Sequence, residues 1–322
     1  FADYLGRRRG VAVNSGTSGL FLGLTALGIG EGDEVVTTPF TFIASATSIM
    51  MVGARPVFVD IDPATLNIDP ARIEAAITDR TKAVLPVEVF GNPAGMDDVC
   101  EIAARHGLAV VEDSCEALGS RLGTRKAGTF GAVSVFGFYP NKQITTGEGG
   151  MIVTDDEEVA DLCVSLRNQG RAAAGGWLAH ERLGYNFRLS DINCALGLAQ
   201  LSRIEEIQAR RRQVAAWYRE MLAEDGRLKG EAVRFAHRRR VTQQGIQDTV
   251  HDGQPLHAPV LAAQRDGREL LAREQVSHLD LRPIARAQVE PSVEDRIERH
   301  VRLDVVGDDP LPQQPAVIGV SG

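Results

Sequence analysis

The sequence predicts an α/β protein with a mostly parallel central sheet, helices on both of its faces, and a C-terminal segment of different character. Three observations carry this expectation. From residue 54 to residue 112, short apolar strands alternate with helices of about ten residues, the order of parallel βαβ units. The strands are near-continuous apolar runs, as a sheet covered on both sides demands. The chain is 322 residues long and 43% apolar, enough for one large α/β domain and a smaller one. Its formal charge of -8 argues against a nucleic-acid partner, because a duplex binder carries a basic face. No apolar run reaches the length of a bilayer and no signal-peptide pattern opens the chain, so a soluble, cytoplasmic protein without a membrane partner is expected.

The first residue is Phe1 rather than Met, and the chain opens on what reads as the end of a helix, so missing N-terminal residues are expected. Val11-Ala12-Val13 is a strand that turns through Asn14-Ser15-Gly16-Thr17-Ser18 into an apolar helix reaching Leu27. Such a turn sets backbone N–H groups and hydroxyls at a helix N-terminus, where the macrodipole favours an anion. A phosphate cup and an ordinary N-cap by Ser15 or Thr17 both use these residue types. The alternating glycines of residues 28–33 follow a helix and precede the strand 34–38, the reverse of the order a dinucleotide fingerprint requires. Pro39-Phe40-Thr41-Phe42-Ile43-Ala44 opens the next apolar helix; Phe42 either stacks on a flat ring or fills the core. Strand 56–60, helix 70–77, strand 83–87, helix 96–106 and strand 109–112 follow.

At the end of that last strand stands Glu112-Asp113-Ser114-Cys115-Glu116. Ligands of open α/β sheets bind outside the carboxyl ends of strands, which places Asp113 to touch one. A carboxylate there is costly to bury without a cationic partner. The alternative is a helix N-cap by Asp113 or Ser114. Next, Lys142 sits between strand 133–138 and the glycine-rich turn Gly147-Glu148-Gly149-Gly150, ahead of strand 151–154. It reads either as a lysine that forms a Schiff base with a carbonyl or as an exposed lysine in a hairpin turn. A helix over 157–167 and a single long helix from 192 to about 222 complete the regular part. Between them Asn186 and Arg188 are polar groups in an aromatic setting, suited to an anion or a partner subunit, or to a capped surface loop. Four cysteines lack CxxC spacing, which argues against a zinc site and a disulfide framework; Cys115 is the one to watch, beside Asp113.

Taken together, these motifs resemble the DegT/DnrJ/EryC1/StrS sugar aminotransferases over roughly residues 1–222. The resemblance implies the fold-type I scaffold of pyridoxal-phosphate enzymes, the aspartate-aminotransferase fold. It implies that Lys142 is the lysine bound to the cofactor, that Asp113 pairs with the pyridine nitrogen and that Glu116 lies near the ring and its 3-hydroxyl. Phe42 would stack on the ring, and Gly16, Thr17 and Ser18 would bind the phosphate. Asn186 would reach the cofactor of the neighbouring subunit, so a homodimer is implied, and Arg188 is the candidate substrate contact. The implied reaction moves an amino group from glutamate to a nucleotide-linked keto-sugar. Relatives with histidine in place of the lysine dehydrate the sugar, so Lys142 favours transamination over that alternative, and an inactive cofactor-binding pseudo-enzyme is the third reading. No metal is expected. Two departures stand out: Gly137 occupies a position where serine is frequent, and Glu116 one where glutamine or histidine is frequent.

By domain, residues 1–205 form the large cofactor domain, and residues 206–322 a linking helix and a nominal small domain. After about residue 225 the character changes: Phe235 is the one aromatic left, and runs such as His237-Arg238-Arg239-Arg240 appear without an apolar face. Either the small domain has diverged or the reading frame is shifted from about Asp225 onward, which sequencing of the coding DNA distinguishes.

Overall fold

The computed structural model describes residues 1–224 except Gly175 and Trp177. A short helix α1 (Ala2–Leu5) leads into β1 (Arg9–Val13) and α2 (Gly16–Ala26). Then β2 (Glu34–Thr37), α3 (Ala44–Met51), β3 (Arg55–Phe58), α4 (Pro70–Ile73), β4 (Thr81–Leu85), α5 (Met96–Arg105) and β5 (Ala109–Asp113) alternate. A small ribbon of β6 (Arg121–Leu122) and β7 (Arg125–Lys126) precedes β8 (Val133–Gly137) and β9 (Gly150–Thr154). The helices α6 (Glu157–Arg167), α7 (Asp191–Ser202) and α8 (Ile204–Glu224) follow.

The central sheet has seven strands in the order β1-β9-β8-β5-β4-β2-β3. Neighbours from β3 to β8 pair in parallel, whereas β9 is antiparallel to both β8 and β1. The strands other than β9 therefore share one direction, and the loops after β1, β2, β4, β5 and β8 open at the same edge, where ligands of such sheets bind. Successive residues of β5 show why the strands read as apolar runs. Val111 packs with Val13, Leu20, Val133 and Ile152 on one face, and Val110 with Val84, Val99 and Ile102 on the other. The described part of the chain thus has a core on each side of one sheet.

Several boundaries differ from expectation. The helix expected to open at Pro39 begins at Ala44, leaving Pro39 to Ile43 as a loop at the ligand edge. The expected helix 70–77 is one α turn that tightens into a 3-10 turn over Glu74–Ala76. The turn Gly16-Thr17-Ser18 is itself the first turn of α2. The long helix from 192 is interrupted at Arg203, which gives two helices. The break lets Ile204, 5% exposed, join Leu5, Leu118 and Phe136, while α7 before it buries no residue. The expected domain boundary falls at the start of α8, and the irregular segment from residue 225 lies outside the described residues. Among the described residues no helix is long and apolar enough to cross a membrane.

Candidate active site

The N-terminus of α2 forms the first wall. Ser15 is its N-cap in extended backbone, and its hydroxyl accepts from the Ser18 N–H at 3.0 Å. The Ser15 carbonyl takes the Gly19 N–H, so Gly16 and Thr17 carry first-turn amides with no carbonyl of their own helix to meet. Ser18 is buried, its hydroxyl 2.9 Å from that of Ser15, and it is not part of the cavity wall. Gly16 lets the helix approach β5 and β8 closely, because a Cβ on it would stand 2.7 Å from Cys115 Sγ. The same thiol faces Gly137, where a Cβ would lie 3.4 Å from Sγ and 3.9 Å from Lys142 Cε. Cys115 thus fills the space between the helix N-terminus and β8. Its burial, and then Asp113, push its thiol well above the usual range, which suits a packed small side chain rather than a nucleophile.

Asp113, the last residue of β5, is 7% exposed. Its Oδ2 accepts from Ser45 Oγ at 2.7 Å and its Oδ1 from the Cys115 N–H at 3.3 Å. Ser45 Oγ is in turn 2.8 Å from Thr41 Oγ1. The sequence leads one to expect a cationic partner for this buried carboxylate. Among the described ion pairs none involves Asp113; a hydroxyl and an amide support it instead. No helix follows β5, so Asp113 and Ser114 are not N-caps; Ser114 Oγ donates to Glu112.

Lys142 lies in the connection between the antiparallel strands β8 and β9, so it does stand in a hairpin connection, but its side chain is only 18% exposed. Its Nζ donates to Glu116 Oε1 at 3.2 Å. The other oxygen, Oε2, accepts the Phe90 N–H at 3.0 Å. Phe90 holds φ at 54°, the left-handed region that a bulky residue adopts only under constraint from its surroundings. Glu116 therefore ties the lysine to the strained turn after β4.

These walls enclose a cavity of about 630 Å³, within the range of small-molecule sites. Gly16, Thr17, Phe42, Asp113, Glu116 and Lys142 all line it. Phe42 is 77% exposed, which removes its core-filling alternative. Asn186 and Arg188 do not line the cavity: both are exposed, and Arg188 Nη1 donates to Asn168 Oδ1 at 3.0 Å. Ser45 and Phe90 were not legible as site residues, although Ser45 stands one residue into α3 and three after Phe42, where a helical hydroxyl can reach back to a strand end. Among the described residues no group of histidine, cysteine or acidic side chains could hold a metal.

A family model described as the DegT/DnrJ/EryC1/StrS aminotransferase family matches residues 1–262. The GDP-perosamine synthase of Caulobacter vibrioides is 46% identical over 226 residues, covering 70% of this chain and 61% of that protein. The chain thus spans about three-fifths of the length of the curated relatives it matches. The crystal structure of DesI in the presence of its TDP-sugar product superposes with a TM-score of 0.64 at 38% identity, covering 69% of this chain and 56% of that one. NtdA from Bacillus subtilis, solved with bound cofactor PMP, gives a TM-score of 0.64 at 33% identity over 69% of this chain and 51% of its own.

Proposed function

The chain belongs to the DegT/DnrJ/EryC1/StrS aminotransferase family, and on that premise we propose that it is a pyridoxal-phosphate aminotransferase acting on a nucleotide-linked keto-sugar. The observation that carries the proposal is that Lys142, Asp113 and the N-terminus of α2 meet on one cavity although they come from distant parts of the chain. The residues fit the cofactor. Asp113 is buried with a hydroxyl and an amide as its partners, which leaves a charge for a cationic ring N–H to neutralise. The first amides of α2 suit a phosphate. The relatives named for perosamine synthesis and solved with a TDP-sugar product support the substrate class, and the PMP-bound one supports the cofactor.

When bound, pyridoxal phosphate supplies an aldehyde that amines condense with and a ring that takes up electron density. The chain's own residues do the rest. Gly16 and Thr17 would hold the phosphate, with Ser18 supporting them through Ser15. Phe42 would cover one face of the ring, and Asp113 would keep the ring nitrogen protonated. Lys142 Nζ would serve as the general base for the α-proton of the amino donor, for which glutamate is our choice, and as the general acid that gives a proton back. Glu116 Oε1 holds that amine inside the cavity before ligand enters. Gly137 opposes no serine to the phosphate, and Cys115 occupies the adjoining space.

A homodimer is part of the proposal. No residue of α7 is fully buried, and Ile192 and Leu198 on it are 83% and 68% exposed, which supports a surface covered by a partner. Asn186 and Arg188, exposed beside it, would then serve the partner's cofactor and substrate. Four free thiols suit a reducing compartment, which supports the cytoplasm. The test is the visible absorption of the full chain after addition of pyridoxal phosphate. A new band that is missing in Lys142→Ala, and that glutamate converts to the pyridoxamine form, is expected. No uptake of the cofactor by the wild-type chain overturns the proposal, and uptake without conversion by glutamate overturns the transaminase part of it.

A further inference from the structure

Beside the strand end that carries Asp113 lies a second carboxyl, which the proposed reaction does not use. Glu88 is fully buried, and neither of its oxygens makes a well-formed hydrogen bond, although the Ser114 hydroxyl and the Glu112 carboxyl stand near enough to act on it. Its backbone N–H donates to the Asp113 carbonyl at 3.2 Å, and the Asp113 N–H returns a bond to Pro86 O at 3.0 Å. The groups that act on its side chain are Glu112, Ser114 and Asp113. No lysine, arginine or histidine stands within bonding distance of either oxygen.

Its neighbour Glu112 has the opposite surroundings. The oxygens of Glu112 accept the N–H groups of Gly128, Phe130 and Gly131 and the hydroxyls of Ser114 and Ser134, five donors on one side chain. That is the arrangement of an acceptor-only carboxylate. When every donor converges on one of two adjacent carboxyls, a proton is cheapest to keep on the other, because an unpaired buried carboxylate loses its hydration and repels its neighbour. Burial first, and then Glu112, push the Glu88 carboxyl well above the usual carboxylate range.

We propose that Glu88 is kept as an uncharged carboxylic acid whose proton faces Glu112 and Ser114, that it braces the end of β5 where Asp113 sits, and that it gives the site an alkaline limit. Glu88 borders the same cavity, and we assign it as a positioning residue that acts through its backbone bond to the end of β5. The inference concerns the protein without cofactor and stands independently of the aminotransferase assignment.

The sign follows from proton linkage. The folded chain holds a proton that the unfolded chain releases above about pH 4.5, so folding takes up a proton and this group makes stability fall as pH rises. The folding constant drops about tenfold per pH unit until Glu88 ionises in the folded state. At roughly 1.4 kcal/mol per tenfold, that is about 3–5 °C of Tm per pH unit for a domain of this size. The experiment melts the full chain and Glu88→Gln without cofactor between about pH 6 and 9. Glutamine keeps the shape and a donor, so its Tm is expected to gain on the wild type steadily as pH rises. An infrared band of a protonated carboxyl at neutral pH, present in the wild type and missing in Glu88→Gln, is the second readout. A Tm difference independent of pH, or no such band in the wild type, overturns the proposal; if Glu88→Gln does not fold, the wild-type band and its loss on raising the pH decide alone.

Discussion

Replacing Ser45 by alanine removes the hydroxyl that donates to Asp113 Oδ2 at 2.7 Å. Ser45 is fully buried and Asp113 nearly so, so water does not replace the lost donor cheaply. A hydrogen bond to a charged group contributes about 1.5–3 kcal/mol. For a domain of this size each kcal/mol moves Tm by roughly 2–4 °C, so Ser45→Ala is expected to melt about 3–12 °C below the wild type. To the extent that a bound pyridinium strengthens that bond, pyridoxal-phosphate binding weakens in the same variant, by up to about 10- to 100-fold. Thermal melts of wild type, Ser45→Ala, Asp113→Asn and the double variant measure the coupling directly. A Tm for Ser45→Ala within about 1 °C of wild type, or a coupling under about 0.5 kcal/mol, refutes the claim that this hydroxyl holds the carboxylate.

Two further outcomes test the fold around the site. Gly16→Ala drives a Cβ to 2.7 Å from Cys115 Sγ, so it is expected to destabilise by about 1–3 kcal/mol and to be rescued in large part by Cys115→Ala; urea melts of the single and double variants check this. Glu34, buried at the start of β2, takes hydrogen bonds from Arg55, Thr78 and Arg80, which hold its carboxyl at about 2. Its folded value lies below its unfolded one, so its contribution is complete above about pH 4.5 and is lost as pH falls toward about 2. The Tm gap between wild type and Glu34→Gln is therefore expected to close over that acid window, and a gap that stays constant would contradict the ion cluster.

Lys142, Asp113 and the α2 N-terminus were legible because each follows a local rule. A strand end before small polar residues, a lysine before a glycine-rich turn and a serine before an apolar helix leave traces in the neighbouring residues. The strand-helix alternation was legible for the same reason, since the two faces of a covered sheet need unbroken apolar runs. What escaped depends on distant partners. Arg203 ends a helix because Ile204 has a pocket among Leu5, Leu118 and Phe136, none of them near in sequence. Ser45 matters because the first turn of α3 reaches the end of β5, and Glu88 looks like one polar position in an alternating Val-Glu-Val run. The cation expected beside Asp113 fails because a hydroxyl fills that role, a substitution that charge counting does not reveal.

The place of β1 at the sheet edge has a consequence for synthesis. Its ladder partner is β9, paired from Arg9 with Thr154 to Val13 with Gly150. The strands β2, β3, β4, β5 and β8 have ladder partners that emerge without β9, whereas β1 has no ladder partner until residue 154 has left the ribosome. Closing so long a loop is the slow kind of step. The start of α2, the candidate anion cup, therefore gains its flanking strand last, although the apolar stretch Leu20 to Leu24 already has Val111, Val133 and Val135 of β5 and β8 to pack on.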